Sequence, residues 1–201
     1  MNFHSGITGI GLSDSELYAD RLAEKFSYLN TFYHQEPRLD ISDPKIAPEL
    51  LDSQDFIISS DVFEHVAPPI DNSFRNAWRI LRPGGSLILS VPYGLQEETV
   101  EHFPELHDYE FVAENETHIL RNTTKTGEIQ RFEGLAFHGG PGATVEMRIF
   151  ARADLVRRLT AAGFEEITIH QAPDFAHGIW WPEPMSFPIS ANKPRTNARR
   201  Y

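Results

Sequence analysis

Short apolar runs alternate with amphipathic segments along the first half of the chain. Residues 7–12 and 55–59 are apolar runs of strand length, and the second has the nearly continuous form of a strand buried on both faces of a sheet. An amphipathic helix is predicted after the first run, with a capping box at Ser13 and Glu16. Its apolar face consists of Tyr18, Leu22 and Phe26, which are spaced four residues apart.

The same alternation continues to residue 91 and returns near the C-terminus. A helix capped within residues 71–73 is predicted to end at Pro83, and Gly84 and Gly85 form the turn into the next strand. That strand is expected at 86–91. Further elements are a helix at 154–162 and short strands at 166–170 and 186–191. Strands that alternate with helices in this way are typical of α/β proteins.

Residues 28–34 form another strand-like run, but a second one at 38–41 follows almost directly. Two parallel neighbours need a crossover of about a dozen residues. These two runs are therefore not a standard parallel pair, and the α/β unit is abbreviated at this point.

The α/β pattern breaks over residues 94–146, where acidic residues outnumber basic ones. A turn at 125–127 lies between β-prone runs at 117–120 and 129–132, which predicts an antiparallel β hairpin inserted after the strand that ends at Val91. Long insertions often carry function. We interpret residues 94–146 as a lid or substrate-recognition hairpin within a single domain of residues 1–201.

The composition narrows the class of protein. The chain has 29 acidic residues against 18 Lys and Arg, a formal net charge of −11, so neither nucleic acid nor an anionic membrane is an expected partner. It has no Cys, which excludes disulfides, thiolate nucleophiles and Cys-ligated metals. It shows neither an apolar run of membrane-spanning length nor a signal peptide, so we expect a cytoplasmic protein.

The C-terminal end differs in charge from the rest of the chain. After Glu183 the only charged side chains are basic: Lys193, Arg195, Arg199 and Arg200. We predict a basic C-terminal tail at residues 192–201, either as a solvated terminus or as a segment that docks on the domain or contacts phosphate. The sequence does not indicate an oligomeric state.

Residues 55–66 read Asp-Phe-Ile-Ile-Ser-Ser-Asp-Val-Phe-Glu-His-Val, and residues 81–92 read Leu-Arg-Pro-Gly-Gly-Ser-Leu-Ile-Leu-Ser-Val-Pro. This combination resembles class I S-adenosylmethionine-dependent methyltransferases, in particular those with an E-H-V step and an L-[KR]-P-G-G turn. Residues 150–169 resemble a late helix and strand of the same family. The resemblance implies a Rossmann-like, doubly wound and mostly parallel sheet, and S-adenosylmethionine as the cofactor.

In such a sheet the ligand lies outside the carboxyl ends of the central strands. The residues that the resemblance assigns to the cofactor follow three strands: Gly9, Gly11 and Asp14 in a glycine turn at the methionine part, Asp40 and Ile41 at the adenine, and Ser60 and Asp61 in the methionine pocket. The Asp40 carboxylate is expected to accept a hydrogen bond from the adenine amino group.

The acid that would bind the ribose hydroxyls has two possible assignments. If residues 28–34 are the second strand, Glu36 is the nearest carboxylate. An alternative alignment makes residues 6–12 the second strand, with Gly11 in place of the acid and the first strand absent upstream. We prefer the first alignment, because it keeps every central strand.

Two histidines are candidates for the chemistry. His65 follows Glu64 in a loop that lies beside the methyl group in the resembled family, although it could equally cap a turn. His138 opens a Gly-Gly-Pro-Gly run that suits either a hairpin turn or an active-site loop in which His138 takes a proton; a hydrolase is excluded because the chain has no G-x-S-x-G. His102 and His107 lack the spacing of a helical metal site, and no metal is predicted.

These observations predict methyl transfer from S-adenosylmethionine to a small-molecule or glycan-like acceptor. One alternative is a non-catalytic, methyltransferase-like binding domain, which the eroded glycine motif leaves open. The other is a nicotinamide-dependent oxidoreductase, against which the missing G-x-G-x-x-G counts.

Overall fold

A computed structural model describes residues 5–114, 117–138, 144–182 and 186–195. Its α-helices are α1 (Glu16–Lys25), α2 (Asp71–Ile80) and α3 (Arg152–Ala162). Its strands are β1 (Ser5–Leu12), β2 (Phe26–Thr31), β3 (Gln54–Ser60), β4 (Leu81–Ser90), β5 (Tyr93–Gly94), β6 (Val100–Glu101), β7 (Asp108–Glu114), β8 (Thr117–Thr123), β9 (Ile129–Phe132), β10 (Phe137–His138), β11 (Thr144–Val145), β12 (Arg148–Ala151), β13 (Glu165–Ile169) and β14 (Ile189–Asn192). No helix within these ranges has the length and apolar character needed to cross a membrane.

A six-stranded sheet forms the centre of the fold, with the strand order β13-β14-β4-β3-β1-β2. The pairs β2–β1, β1–β3 and β3–β4 are parallel, whereas β14 is antiparallel to both β4 and β13. The prediction of a Rossmann-like, mostly parallel sheet is confirmed.

One face of this sheet belongs to the main hydrophobic core. Successive side chains of a strand point to opposite faces, and Ile10, Ile57 and Leu87 lie side by side across β1, β3 and β4. All three are almost fully buried, in one core cluster with Phe74 of α2 and Leu155 of α3. This cluster joins the two helices to the sheet.

On the opposite face, two glycines of β1 make room for aromatic side chains. A Cβ at Gly9 would overlap the ring of Phe56, and a Cβ at Gly11 would overlap the hydroxyl of Tyr28. The rings of Tyr28 and Phe56 are stacked, with centroids 6.0 Å apart. The prediction of a glycine turn is therefore wrong, because Gly9 and Gly11 lie inside a strand and aromatic groups fill the space beside them.

Helix α1 begins later than the predicted capping box. The N-cap is Ser15, whose side chain accepts a hydrogen bond from the Leu17 amide. Ser13 instead adopts a left-handed conformation with φ 58°, and its amide donates to the Thr31 carbonyl at 2.7 Å. Ser13 thus serves the turn that ends β1 rather than the start of the helix.

The residues after β2, where the α/β unit is abbreviated, contribute almost nothing to the central sheet. β2 follows α1 directly and ends at Thr31, earlier than the predicted residue 34. Beyond it, Phe32 and Arg38 form one isolated parallel bridge. The second strand-like run, at 38–41, contributes nothing further to the central sheet.

The segment between β4 and β12 folds outside the central sheet. β7, β8 and β9 form an antiparallel sheet, and Gly127, with φ 88°, lies in the turn between β8 and β9. β12 pairs with β5 and β6 in another small sheet. A hydrophobic cluster separate from the main core contains Phe103, Leu120, Val145 and Met147. The segment therefore has a core of its own.

The C-terminal end docks on the domain at Lys193. This side chain is buried, and its Nζ donates to Asp52 Oδ1 at 2.6 Å and to the Leu81 carbonyl at 2.7 Å. It also lies 3.9 Å from the centroid of the Trp78 ring, in a cation–π contact. The solvated-terminus interpretation is wrong for Lys193. The remaining residues of the predicted tail, 196–201, lie outside the described residues.

Candidate active site

The carboxyl ends of β3 and β4 lie side by side and carry polar groups. The hydroxyls of Ser60 and Ser90 are 3.0 Å apart. Asp61 follows β3, and its amide donates to the Ser90 carbonyl at 2.9 Å. Asp61 has φ 52°, a left-handed conformation that non-glycine residues adopt infrequently. This turn ends the strand and leaves the exposed Asp61 side chain at the sheet edge.

The loop after β3 contains a single 3-10 turn at Phe63–His65. Phe63 anchors this turn in the main core, where its ring meets Phe74 edge to face with centroids 5.0 Å apart. Glu64 is 0% exposed. The E-H-V step therefore carries a buried carboxylate directly before a half-buried histidine.

The end of the insertion, together with Met147 directly after it, holds this loop from the other side. The Met147 amide donates to the Glu64 carbonyl at 2.8 Å, and His65 Nδ1 lies 2.7 Å from the Val145 carbonyl. A carbonyl oxygen only accepts hydrogen bonds, so Nδ1 must carry a proton. In the neutral imidazole, His65 Nε2 is then left with a free lone pair.

Arg148 completes the support of the loop. Its side chain is fully buried, and its Nη1 donates to the Phe63 carbonyl at 2.8 Å and to the Val66 carbonyl at 2.6 Å. Its Nε pairs with Glu101 at 2.9 Å. A buried guanidinium is costly unless it is paired and hydrogen-bonded. The position of the E-H-V step therefore depends on an arginine far along the chain.

His138 reaches the same loop from the insertion. The pairing of β10 with β11 sets His138 opposite Thr144. The rings of His65 and His138 meet edge to face with centroids 4.6 Å apart. His65 Nε2 lies 3.7 Å, and His138 Nδ1 3.9 Å, from Oε1 of Glu64. We call Glu64, His65 and His138 the Glu64 cluster.

A second carboxylate holds His138 from outside this cluster. Glu146 Oε2 lies 3.3 Å from His138 Nε2, and Glu146 Oε1 lies 2.9 Å from His102 Nε2. A carboxylate favours a proton on the nitrogen that faces it. Glu146 thereby orients the His138 ring so that Nδ1 faces Glu64.

Burial controls the protonation of the Glu64 cluster. It raises the pKa of Glu64 to about 8, and the carboxylates of Asp61 and Glu146 add to this effect. Burial also lowers the pKa of His65, with a further contribution from His138. His65 is therefore a neutral imidazole near pH 7.

A cleft of about 770 Å³ opens beside the Glu64 cluster. Its lining consists of Asp61, His65, Pro92, His138, Thr144 and Ser186. This volume lies in the range of small-molecule sites. Both predicted catalytic histidines and Asp61 line the same cleft, and Ser60 lies next to it at the end of β3.

The other predicted cofactor residues have different surroundings. Asp14 is 4% exposed, and its carboxylate accepts hydrogen bonds from the hydroxyls of Tyr18, at 2.9 Å, and Tyr28. Its oxygens are therefore used within the protein. Gly9 and Gly11 are closed off by Phe56 and Tyr28.

Asp40 and Ile41 follow the isolated bridge after β2 and do not line the cleft. Asp40 Oδ1 accepts from the amide and hydroxyl of Ser42, at 2.9 and 2.7 Å, while within the described residues Oδ2 accepts no hydrogen bond. Ile41 belongs to the main core. For a cofactor with amino and hydroxyl groups, the fitting acceptors are Oδ2 of Asp40 and the oxygens of Ser60 and Asp61.

The sequence patterns do not assign Glu64, Glu146 and Arg148 to the site. Glu64 has a local signal, because it directly precedes His65 in the E-H-V step. Glu146 and Arg148 have none, since their importance comes from contacts with residues far away in sequence.

The family model of the methyltransferase domain matches residues 6–89. The match covers β1 to β4 and includes Asp40, Ser60, Asp61 and His65. Among proteins of curated function, none matches the chain in sequence.

Solved structures share the fold at low sequence identity. An S-adenosylmethionine-dependent methyltransferase from Mesorhizobium loti is 15% identical, with a TM-score of 0.54, over 96% of this chain and 93% of that one. The methyltransferase (CMeT) domain of a citrinin polyketide synthase is 16% identical with a TM-score of 0.54, and the chain covers 48% of it. A sugar N-methyltransferase from Streptoalloteichus is 12% identical with a TM-score of 0.53, over 94% of this chain and 81% of that one.

At these identities the structural likeness establishes a shared fold. The family match adds the sequence evidence, because it covers the strands whose carboxyl ends carry the cleft. Over residues 6–89 the chain is therefore similar in sequence to the methyltransferase domain, and it shares the fold of S-adenosylmethionine-dependent methyltransferases.

Proposed function

We propose that the chain methylates a hydroxyl group of a small-molecule or glycan-like acceptor, which binds in the cleft beside the Glu64 cluster. The observation that carries this proposal is the edge-to-face contact of His65 and His138, at 4.6 Å, on the wall of that cleft. Two imidazoles at the carboxyl edge of the sheet provide a proton acceptor where the family fold binds its ligands.

The reaction needs little covalent chemistry from the protein. S-adenosylmethionine supplies a methyl group on a sulfonium: the acceptor oxygen bonds to the methyl carbon while the carbon–sulfur bond breaks and its electron pair returns to sulfur. The residues of the site must align the acceptor and remove the hydroxyl proton. His65 Nε2 is suited to take that proton, because the Val145 carbonyl holds the other ring proton on Nδ1.

The polar lining of the cleft supports a small, hydroxyl-bearing acceptor. Asp61, Thr144 and Ser186 offer oxygen atoms, and Pro92 is the apolar member of the lining. A sugar N-methyltransferase shares the fold, which is consistent with a polar acceptor. The remaining predicted cofactor residues, Asp40, Ser60 and Asp61, are proposed to bind the amino and hydroxyl groups of the cofactor.

Two substitutions test the proton step with little change elsewhere. His65→Asn keeps a donor near the Nδ1 position for the Val145 carbonyl and removes Nε2. His138→Gln keeps a donor near the Nε2 position for Glu146 and removes Nδ1. His177→Gln is the matched control, because His177 is an exposed histidine on a short 3-10 turn.

The measurement pairs calorimetry with S-adenosylhomocysteine and mass-spectrometric detection of methylated products from a panel of sugars, amino sugars and phenols. We expect micromolar binding in all four proteins, and a loss of transfer of about 10²- to 10⁴-fold for His65→Asn. Transfer that survives in both cluster variants would contradict a proton role for these histidines. Cofactor binding without transfer to any hydroxyl would contradict the acceptor class.

A further inference from the structure

The Glu64 cluster contains a carboxylate that lacks the partners a buried carboxylate requires. Glu64 is 0% exposed, and within the described residues neither of its oxygens makes a hydrogen bond. A buried carboxyl group whose oxygens make no hydrogen bonds is destabilising, whether it is charged or protonated. The nearest polar atoms are imidazole nitrogens at 3.7 and 3.9 Å, too far for hydrogen bonds.

Each of the two histidines turns one ring nitrogen toward this carboxyl group. His65 Nε2 and His138 Nδ1 both face Oε1 of Glu64, and the three atoms lie within 4.8 Å of one another. The ligand atoms of a tetrahedral zinc site, at metal distances of about 2.0–2.2 Å, lie about 3.4 Å apart. Closing the cluster around an ion therefore requires shifts of well under 1 Å along two of its edges.

The outer nitrogens of both histidines already have the partners that metal-bound histidines use. In metal sites the ring nitrogen that does not bind the metal usually donates to a backbone carbonyl or a carboxylate. Here His65 Nδ1 meets the Val145 carbonyl at 2.7 Å, and His138 Nε2 meets Glu146 at 3.3 Å. His102 in turn orients Glu146 at 2.9 Å.

We propose that Glu64, His65 and His138 bind a divalent transition-metal ion, with Zn²⁺ as the first candidate. Two imidazoles and one carboxylate form a donor set found in catalytic zinc sites, which keep a further position open. Since both histidines line the cleft, that open position faces the space assigned to the acceptor. Asp61 lines the same cleft as an additional oxygen donor.

The chain could bind the metal ion whether or not the proposed function is right. A role of the ion in catalysis, however, rests on the proposed methyl transfer. A hydroxyl bound to the ion would become more acidic, as metal-bound water does. Its proton would leave to solvent through the cleft, where His138 is 41% exposed. In the metal-bound chain the ion would activate the acceptor oxygen, and His65 Nε2 would act as the base only in the metal-free chain.

The experiment titrates the chelator-treated full chain with ZnCl₂ in a calorimeter, and elemental analysis gives the bound stoichiometry. We expect one Zn²⁺ per chain. Co²⁺ substitution should produce the intense visible bands of a four-coordinate site. Glu64→Gln, His65→Asn and His138→Gln should each weaken Zn²⁺ binding at least 100-fold, while His107→Gln and His177→Gln bind as the parent chain does.

His138→Gln keeps the test decisive, because His138 is half-exposed and its loss does not open the core. Circular dichroism of each metal-free variant confirms that it is folded. Binding below one equivalent, or binding that His138→Gln leaves unchanged, would overturn the proposal. Titration with S-adenosylhomocysteine is a separate measurement, so failure of the metal site and failure of the methyltransferase proposal are distinguishable.

Discussion

The Nε–H of Arg148 is shared between the two carboxylate oxygens of Glu101, at 2.9 and 3.1 Å. This contact ties β12 to β6, while Nη1 of the same guanidinium holds the carbonyls of Phe63 and Val66. One buried side chain therefore connects the insertion to the loop that carries Glu64 and His65.

We predict that Arg148→Lys lowers the free energy of unfolding by about 3 kcal/mol, because it leaves Glu101 and two carbonyls without their planar donor. Urea denaturation followed by circular dichroism measures the change. Arg157→Lys is the control: Arg157 is exposed and pairs with Asp154 in one turn of α3, so we expect a change within about 0.5 kcal/mol. Equal effects of the two substitutions would show that the contacts of Arg148 with Glu101 and the two carbonyls do not stabilise the fold.

Asp14 should make stability depend on pH. Burial raises its pKa above the ordinary value of 3.8, against the lowering effect of the Tyr28 and Tyr18 hydroxyls. A carboxyl group whose pKa is raised in the folded state makes its full contribution to the free energy of unfolding below pH 3.8. This contribution is lost as the pH rises through the folded-state pKa. The parent chain should therefore lose stability relative to Asp14→Asn as the pH rises from about 4 through the folded-state pKa of Asp14.

Thermal melts at several pH values measure this difference. Asp20→Asn, at an exposed position of the same helix region, should shift the melting temperature by a constant amount across the range. A constant offset for Asp14→Asn as well would show that burial does not change the protonation of Asp14.

Gly9→Ala tests whether the glycines of β1 serve packing. The added methyl overlaps the Phe56 ring, so we expect a loss of about 1–3 kcal/mol in the free energy of unfolding. Gly6→Ala is a control in the same strand, because no atom lies within 4 Å of the added Cβ. Combining Gly9→Ala with Phe56→Ala should cost less than the sum of the single substitutions; additive costs would mean that the two side chains do not compete for the same space.

Lys193→Met should reduce the free energy of unfolding by about 2 kcal/mol, because it removes charged hydrogen bonds to Asp52 and the Leu81 carbonyl. Lys125→Met, at an exposed turn position, is the reference. Chemical denaturation of both variants gives the comparison. If Lys193→Met is no worse than Lys125→Met, the C-terminal end is not docked in solution.

Local patterns were sufficient for much of the α/β framework. The apolar runs predict β3 and β4, and the glycine after α3, Gly163, has the φ of 103° expected of a C-cap. The glycines of β1 show the limit of such patterns. A glycine pair looks the same in a tight turn and in a strand crossed by aromatic rings, and the residues that decide the matter here, Phe56 and Tyr28, are distant in sequence.

In the candidate site, too, local patterns identify single residues but not the contacts between them. His65 and His138 can each be singled out from neighbouring residues. Their contact with Glu64 depends on the β10–β11 pairing and on Arg148. Long-range contacts of this kind have no local sequence signal, so neither the cluster nor its buried arginine could be predicted.

The position of β14 has a consequence for biosynthesis. β14 pairs with both β4 and β13, so β4 has an open hydrogen-bonding edge until Ile189–Asn192 has left the ribosome. Exposed edges of this kind can recruit strands from other molecules. The nascent chain must therefore carry an unfinished sheet from the completion of β4 until β14 has been made, and ending the chain before β14 should produce aggregation rather than a smaller folded domain.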